Sequence, residues 1–178
     1  MLTSRFTSAL QLAVKAHDGQ YRKYGHKVPY VTHPIAVAHI VYSSLHSVLE
    51  AKELDIITSA AVLHDVIEDT PTTAEDMAKV IGDEITELVL QVTKVSKPSD
   101  GDRATRVEID RQHFIKASWM GGTIKLADCF HNMRDIEKQD SGFAKVYMAE
   151  KKALIPYLSG YVALKNAAMA EVNRFFMK

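Results

Sequence analysis

A single cysteine, Cys129, in a chain of 178 residues excludes an intrachain disulfide framework and suits a reducing compartment. Net charge is lacking as well: 22 Lys and Arg balance 22 Asp and Glu, so no global basic field marks nucleic acid or an anionic membrane as a partner. No apolar run is long enough to span a bilayer, and Met1–Arg5 leads into mixed polar and apolar residues without a signal-sequence pattern. Pro, Gly and Ser nowhere crowd into a linker, and no repeat or low-complexity tract is present, so one domain over residues 1–178 is expected. These absences predict a soluble, cytoplasmic protein. Strict period-two alternation never persists beyond a few residues, whereas apolar residues recur at helical spacing nearly throughout; the chain reads as an all-α helical bundle.

A first helix is expected from about Ser4 to His17, ended by Asp18-Gly19, and is followed by a basic, aromatic loop over residues 19–30 with a few packed tyrosines. Thr32-His33-Pro34 reads as the start of the next helix, because Pro suits the first turn and pushes the residue before it out of the α region. A third helix is expected from an N-cap near Asp55 to the stop at Thr70-Pro71. Thr73 then caps a short helix closed by Gly82, and another covers Asp83 to about Val95. Residues 96–102 form the clearest loop and the expected most mobile part. Helical spacing resumes from about Ala104 to Ala117, Gly121-Gly122 predicts a further break, and a core helix follows from Thr123. Two last helices are separated near Ser159-Gly160.

The most informative stretch runs from Ala60 to Thr70 and carries His64, Asp65, Glu68 and Asp69 on an apolar background. At helical spacing the three carboxylates gather on one side, and like charges so placed cost roughly 0.2–0.5 kcal/mol per pair, with burial costing far more. A divalent cation is the simplest remedy, since it turns crowded carboxylates into ligands or proton acceptors. His33 before one helix, His64-Asp65 within another and Asp128 inside Lys125-Leu126-Ala127-Asp128 make a set of two imidazoles and two carboxylates. Such a nitrogen and oxygen shell suits Mn²⁺, Fe²⁺ or Zn²⁺ better than Ca²⁺. Asn132, one helical turn after Asp128, can face the same side of its helix. His17, His39, His46 and His113 read as surface or ordinary helix positions, and His26 as a loop residue.

In order and context, His33, His64-Asp65 and Asp128 resemble the H…HD…D signature of the HD superfamily of metal-dependent phosphohydrolases. More narrowly, the chain resembles the hydrolase domain of RelA/SpoT-type alarmone enzymes and the free-standing small alarmone hydrolases. The words that carry this are Gly19-Gln20-Tyr21-Arg22-Lys23, His33-Pro34-Ile35-Ala36-Val37-Ala38, Ala60 through Thr70, Val92-Thr93-Lys94 and Lys125 through Arg134. They extend across most of the chain, the C-terminal part matching less strongly. Cys129 stands where the longer enzymes often carry Arg, and the loop between Gly25 and Pro29 is longer than in many members.

The resemblance implies a single HD-domain helical bundle that removes the 3′-diphosphate of guanosine tetra- or pentaphosphate, usually with Mn²⁺. It implies that His33, His64, Asp65 and Asp128 hold the metal, and that Glu68 and Asp69 orient or deprotonate the water. Arg22, Lys23 and Lys94 are the expected cations at the phosphates, with Asn132, Tyr147 and Lys151 also on the nucleotide. The expected partner is thus a small-molecule nucleotide, with neither nucleic acid nor membrane. The chain is too short for the synthetase and regulatory domains of the long enzymes, so hydrolysis without synthesis is expected. An adenosine alarmone or a dinucleotide phosphate is the nearest alternative substrate. A regulatory module without turnover is the other alternative, although such a module would be expected to lose ligands or the Glu68-Asp69 pair.

Overall fold

The computed structural model describes residues 3–23 and 27–177; the expectations for His26 and for the loop at Gly25 fall outside them. Among the described residues the protein is all-α, with ten α-helices and no β-strand. It divides into two compact units, Met1–Thr93 and Lys94–Lys178.

The first unit contains α1 (Ser4–Ala16), α2 (Thr32–Leu45), α3 (Ala51–Leu63), α4 (Val66–Asp69), α5 (Ala74–Ile81) and α6 (Asp83–Val92). Helix α3 is its centre and packs on α1, α2 and α6. Every residue from Ile56 to Leu63 is buried, because this half of the helix is apolar or small on all sides and can be enclosed on all of them. Local capping chemistry sets several boundaries as the sequence predicts. The Thr3 hydroxyl accepts from Phe6 N at 3.0 Å, the Thr73 hydroxyl accepts from Asp76 N at 3.1 Å, and Gly82, at φ +90°, closes α5.

The predicted helix from Asp55 to Thr70 is not one helix. It begins at Ala51, so Asp55 lies inside α3, where its carboxylate accepts from the Thr3 hydroxyl and sits 3.7 Å from Arg5. Asp55 ties α1 to α3 instead of capping α3. The helix then ends at Leu63. His64 turns its ring back so that Nδ1–H donates to the Ala61 carbonyl at 2.8 Å, His64 and Asp65 form a turn, with Asp65 at φ −99° and ψ −6°, and α4 restarts at Val66.

The second unit contains α7 (Arg103–Phe114), α8 (Trp119–Gln139), α9 (Ser141–Leu154) and α10 (Val162–Phe176), with α8 packed on α9 and α10. The expected break at Gly121-Gly122 does not occur, for α8 runs through both. A Cβ on Gly122 would lie 1.7 Å from the Ser159 carbonyl oxygen, so glycine is there for close approach and not for a turn. The loop over residues 96–102 also carries local structure of its own. It holds a short 3-10 turn at Pro98–Asp100, and the buried Asp110 anchors its start, accepting from Val95 N at 3.0 Å, Ser96 N at 2.9 Å and Ser96 Oγ at 2.8 Å. Asp110→Ala is expected to cost about 3 kcal/mol in urea unfolding, because it strands backbone donors, and Asp110→Asn, which keeps one acceptor, about half as much.

Candidate metal centre

Helix α2 opens on Thr32-His33-Pro34 as the sequence predicts, and the turn before it is tied down by Thr32 N to Pro29 O at 3.2 Å and His33 N to Tyr30 O at 2.9 Å. This fixes the His33 ring at the entry to the helix. The His64 ring is fixed at the end of α3 by its bond to Ala61 O. A carbonyl only accepts, so Nδ1 carries the proton and Nε2 is left as the ligand-type nitrogen. Asp65 follows directly.

Two imidazoles thereby converge on one carboxylate. His33 Nε2 lies 3.5 Å from Asp65 Oδ2, and His64 Nε2 lies 3.1 Å from Asp65 Oδ1. One ligand-type atom from each of His33, His64 and Asp65 falls within 4.8 Å of the others. Both imidazoles are 1% exposed and Asp65 9%. Two buried nitrogens and a carboxylate oxygen at this separation could hold a metal ion, and the mixed donor set is of the kind that divalent transition ions take.

Glu68 and Asp69 lie one turn on, in α4, with Glu68 half-buried and Asp69 exposed. Although the helix breaks before Asp65, the register the sequence implies is kept, since Asp69 N donates to Asp65 O at 2.9 Å. The carboxylates of Asp65 and Asp69 face each other with a phenol between them. Tyr30 Oη is 2.8 Å from Asp65 Oδ2 and 2.7 Å from Asp69 Oδ2. Burial, followed by the charge of Asp65 and the bond to Asp69, pushes the Tyr30 phenol far above its usual range, so it stays a donor.

Tyr30 belongs to the site and was visible in the sequence only as one tyrosine of a basic loop. A short return of the chain brings it there: Arg22 N donates to Val28 O at 2.9 Å, Tyr30 N to Gln20 O at 2.9 Å, and Tyr21 pairs with Pro29 in an antiparallel bridge. The same return carries Arg22, whose guanidinium carbon lies 5.6 Å from the centre of the Tyr30 ring. Lys23, the next residue, is exposed.

His17 also departs from its reading as an ordinary helix position. It caps α1, is buried, and packs its ring 4.8 Å from that of Tyr30. Its Nδ1–H donates to Gln20 Oε1 at 2.8 Å, while Gln20 Nε2 donates to the Asp69 carbonyl at 2.8 Å. The signal available in sequence was the Gly19-Gln20-Tyr21-Arg22-Lys23 word that follows the helix stop, in which Gln20 is a bridge to Asp69.

The remaining expected site residues lie in the second unit. On α8, the buried Asp128 is engaged at both oxygens: Lys125 Nζ is 2.9 Å from Oδ2, and Asn132 Nδ2 donates to Oδ1 at 2.6 Å. Lys125 is itself buried, with Nζ 4.4 Å from the centre of the Phe114 ring. Cys129 is fully buried, and burial raises its thiol above the usual range, which makes it a packing residue and not a nucleophile. Along α9, Lys151 Nζ lies 4.6 Å from the centre of the Tyr147 ring, so these two expected nucleotide contacts share one face. Lys94 is exposed.

Among the described residues no helix is long and apolar enough to cross a membrane. Residues 9–154 match the HD domain family. The chain is 40% identical over 136 residues to the bifunctional (p)ppGpp synthase/hydrolase SpoT of Escherichia coli K12, which covers 74% of this chain but only 18% of that protein. It is 35% identical over 135 residues to the guanosine-3′,5′-bis(diphosphate) 3′-pyrophosphohydrolase MESH1 of Drosophila melanogaster, covering 76% of this chain and 71% of that one. A solved structure described as a metazoan ortholog of SpoT that hydrolyses ppGpp superposes with a TM-score of 0.80 at 27% identity, over 98% of this chain and 95% of the other.

Proposed function

The chain belongs to the HD-domain family, and from that premise we propose that it is a metal-dependent hydrolase removing the 3′-diphosphate of ppGpp and pppGpp. The observation that carries this reading is the convergence of His33, His64 and Asp65 on one point, with Asp69 joined to Asp65 through Tyr30. A divalent ion bound there, with Mn²⁺ the ion proposed and Fe²⁺ or Zn²⁺ the alternatives, would supply positive charge opposite a phosphoryl oxygen and the attacking water. Asp128 is proposed as the fourth ligand on its motif. The HD-domain match runs through both units, which supports treating residues 1–178 as one functional domain.

The protein's own side chains do the rest. Asp69, exposed and one turn from Asp65, accepts the proton of the water, and Glu68 beside it orients that water. The water oxygen bonds to the phosphorus on the 3′ oxygen, the bond from that phosphorus to the 3′ oxygen breaks, and the ribose hydroxyl takes up a proton as pyrophosphate is released. Arg22, Lys23 and Lys94 balance the charge that spreads over the phosphoryl oxygens. Asn132, Tyr147 and Lys151 contact the nucleotide. A nucleotide substrate and a single buried thiol suit the cytoplasm.

The test is a turnover panel. Metal-stripped protein is reloaded with Mn²⁺ and given guanosine and adenosine 3′-diphosphates, other phosphorylated nucleotides and simple phosphate esters, with pyrophosphate and phosphate measured separately. Pyrophosphate from ppGpp is the expected result. Turnover confined to an adenosine nucleotide would move the base assignment, and a metal-loaded protein inert on every nucleotide would end the enzyme reading.

A further inference from the structure

The Tyr30 hydroxyl, which the motifs leave without a task, touches both carboxylates on which the proposed reaction depends. We propose that Tyr30 is a positioning residue: its hydroxyl sets the rotation of the Asp65 carboxylate for the metal and ties Asp69 to it, while its ring carries Arg22. The proposal rests on the reading of the site as a metal-dependent hydrolase, and adds to it a residue outside the ligand set and the Glu68-Asp69 pair.

Geometry supports each part. Asp65 must present oxygen towards the same point as two imidazoles, and a carboxylate free to turn about its last torsion spends much of its time aimed elsewhere. The hydroxyl at 2.8 Å holds Oδ2 and so restrains the plane of the carboxylate, with Oδ1 left 3.1 Å from the ligand-type nitrogen of His64, towards the point the two imidazoles share. The phenol has one hydrogen, shared with Asp69 Oδ2 at 2.7 Å, so the same donor keeps Asp69 beside Asp65. Tyr30 can act this way because it is held from several sides. Its backbone is bonded to Gln20 and His33, the His17 ring packs against its own at 4.8 Å, and the Arg22 guanidinium lies on it at 5.6 Å.

Two substitutions divide the hydroxyl from the ring. Tyr30→Phe keeps the packing against His17 and the surface under Arg22 but removes both carboxylate contacts. Mn²⁺ titrated by calorimetry into the metal-stripped protein is expected to bind about 10-fold more weakly, the lower end of the range for loss of an outer partner of a ligand. At saturating Mn²⁺, kcat on ppGpp should fall with KM little changed, because the hydroxyl holds ligand and base rather than nucleotide. Tyr30→Ala should lower kcat and raise KM as well, since Arg22 loses its support. Combined with Asp69→Asn, Tyr30→Phe should cost less than it does in the parent protein, because part of its effect acts through Asp69.

Wild-type Mn²⁺ affinity together with wild-type kcat in Tyr30→Phe would overturn the proposal, as would full additivity with Asp69→Asn. The metal titration needs no nucleotide. If the parent protein binds Mn²⁺ but leaves ppGpp intact, the substrate reading fails, and the Tyr30 proposal stands or falls on the affinity difference alone.

Discussion

Asp65→Ala should lower pyrophosphate release from ppGpp by about 10³-fold or more. Three functions end together. The carboxylate is the anionic member of the His33, His64 and Asp65 set, so its removal leaves two buried imidazoles with much less capacity to hold a dication. It is also the group towards which both Nε2 atoms are turned, at 3.5 and 3.1 Å, and one of the two carboxylates that Tyr30 bridges. Excess Mn²⁺ should restore little activity, because positioning is lost along with affinity.

Asp69→Asn provides the contrast. It should lose about 10²–10⁴-fold in kcat, as expected for removal of a proton acceptor, yet bind Mn²⁺ nearly as the parent does. Calorimetry with Mn²⁺ on both variants, beside the turnover assay, separates holding the metal from using the water. Equal metal loss in the two variants would mean that Asp69 is a ligand, and near-normal turnover in Asp65→Ala would remove the proposed centre altogether.

The chemistry of this centre was more legible in the sequence than its shape. His33, His64 and Asp65 could be grouped because each stands in a strong local context: a helix start with Pro in the first turn, and acids set against an apolar stretch. The break at His64 was hidden, because apolar residues continue across it from Val62 and Leu63 to Val66 and Ile67. What ends α3 is a side-chain bond from His64 to Ala61 O, and single-residue hydrogen bonding leaves no mark on periodicity. Tyr30, His17 and Gln20 were illegible for a different reason. Tyr30 and Gln20 act across tens of residues on Asp65 and Asp69, and His17 only supports those two, while a basic loop advertises only its composition. In the second unit the spacing of Asp128 and Asn132 puts them one turn apart on α8. That one donates to the other at 2.6 Å is information only coordinates carry.

Gly122→Ala should destabilise the protein by about 3 kcal/mol or more, although helix propensity alone predicts the opposite sign. The residue lies inside α8, where replacing Gly by Ala ordinarily gains roughly 0.5–1 kcal/mol from reduced freedom of the unfolded chain. Here the added methyl would stand 1.7 Å from the Ser159 carbonyl oxygen and 2.6 Å from its carbon, far inside contact distance and against backbone, which has no rotamer with which to escape. The chain after α9 must therefore move away from α8. That movement also breaks the bond from Tyr161 N to the Thr123 hydroxyl, 2.9 Å in the native packing, and displaces Gly160, which already requires φ +147°. At roughly 2–4 °C per kcal/mol for a chain of this size, Tm should fall by about 6–12 °C. Gly142→Ala is the matched control. It lies in the first turn of α9, is exposed, and its Cβ would meet only Asp140 Oδ1 at 3.8 Å, so its effect should stay within about 1 kcal/mol. A Gly122→Ala protein that melted with its parent would mean that α8 and the Ser159-Gly160 turn are not in backbone contact. The helix break that the Gly121-Gly122 pair suggests in sequence would then again be the better account of why glycine stands there.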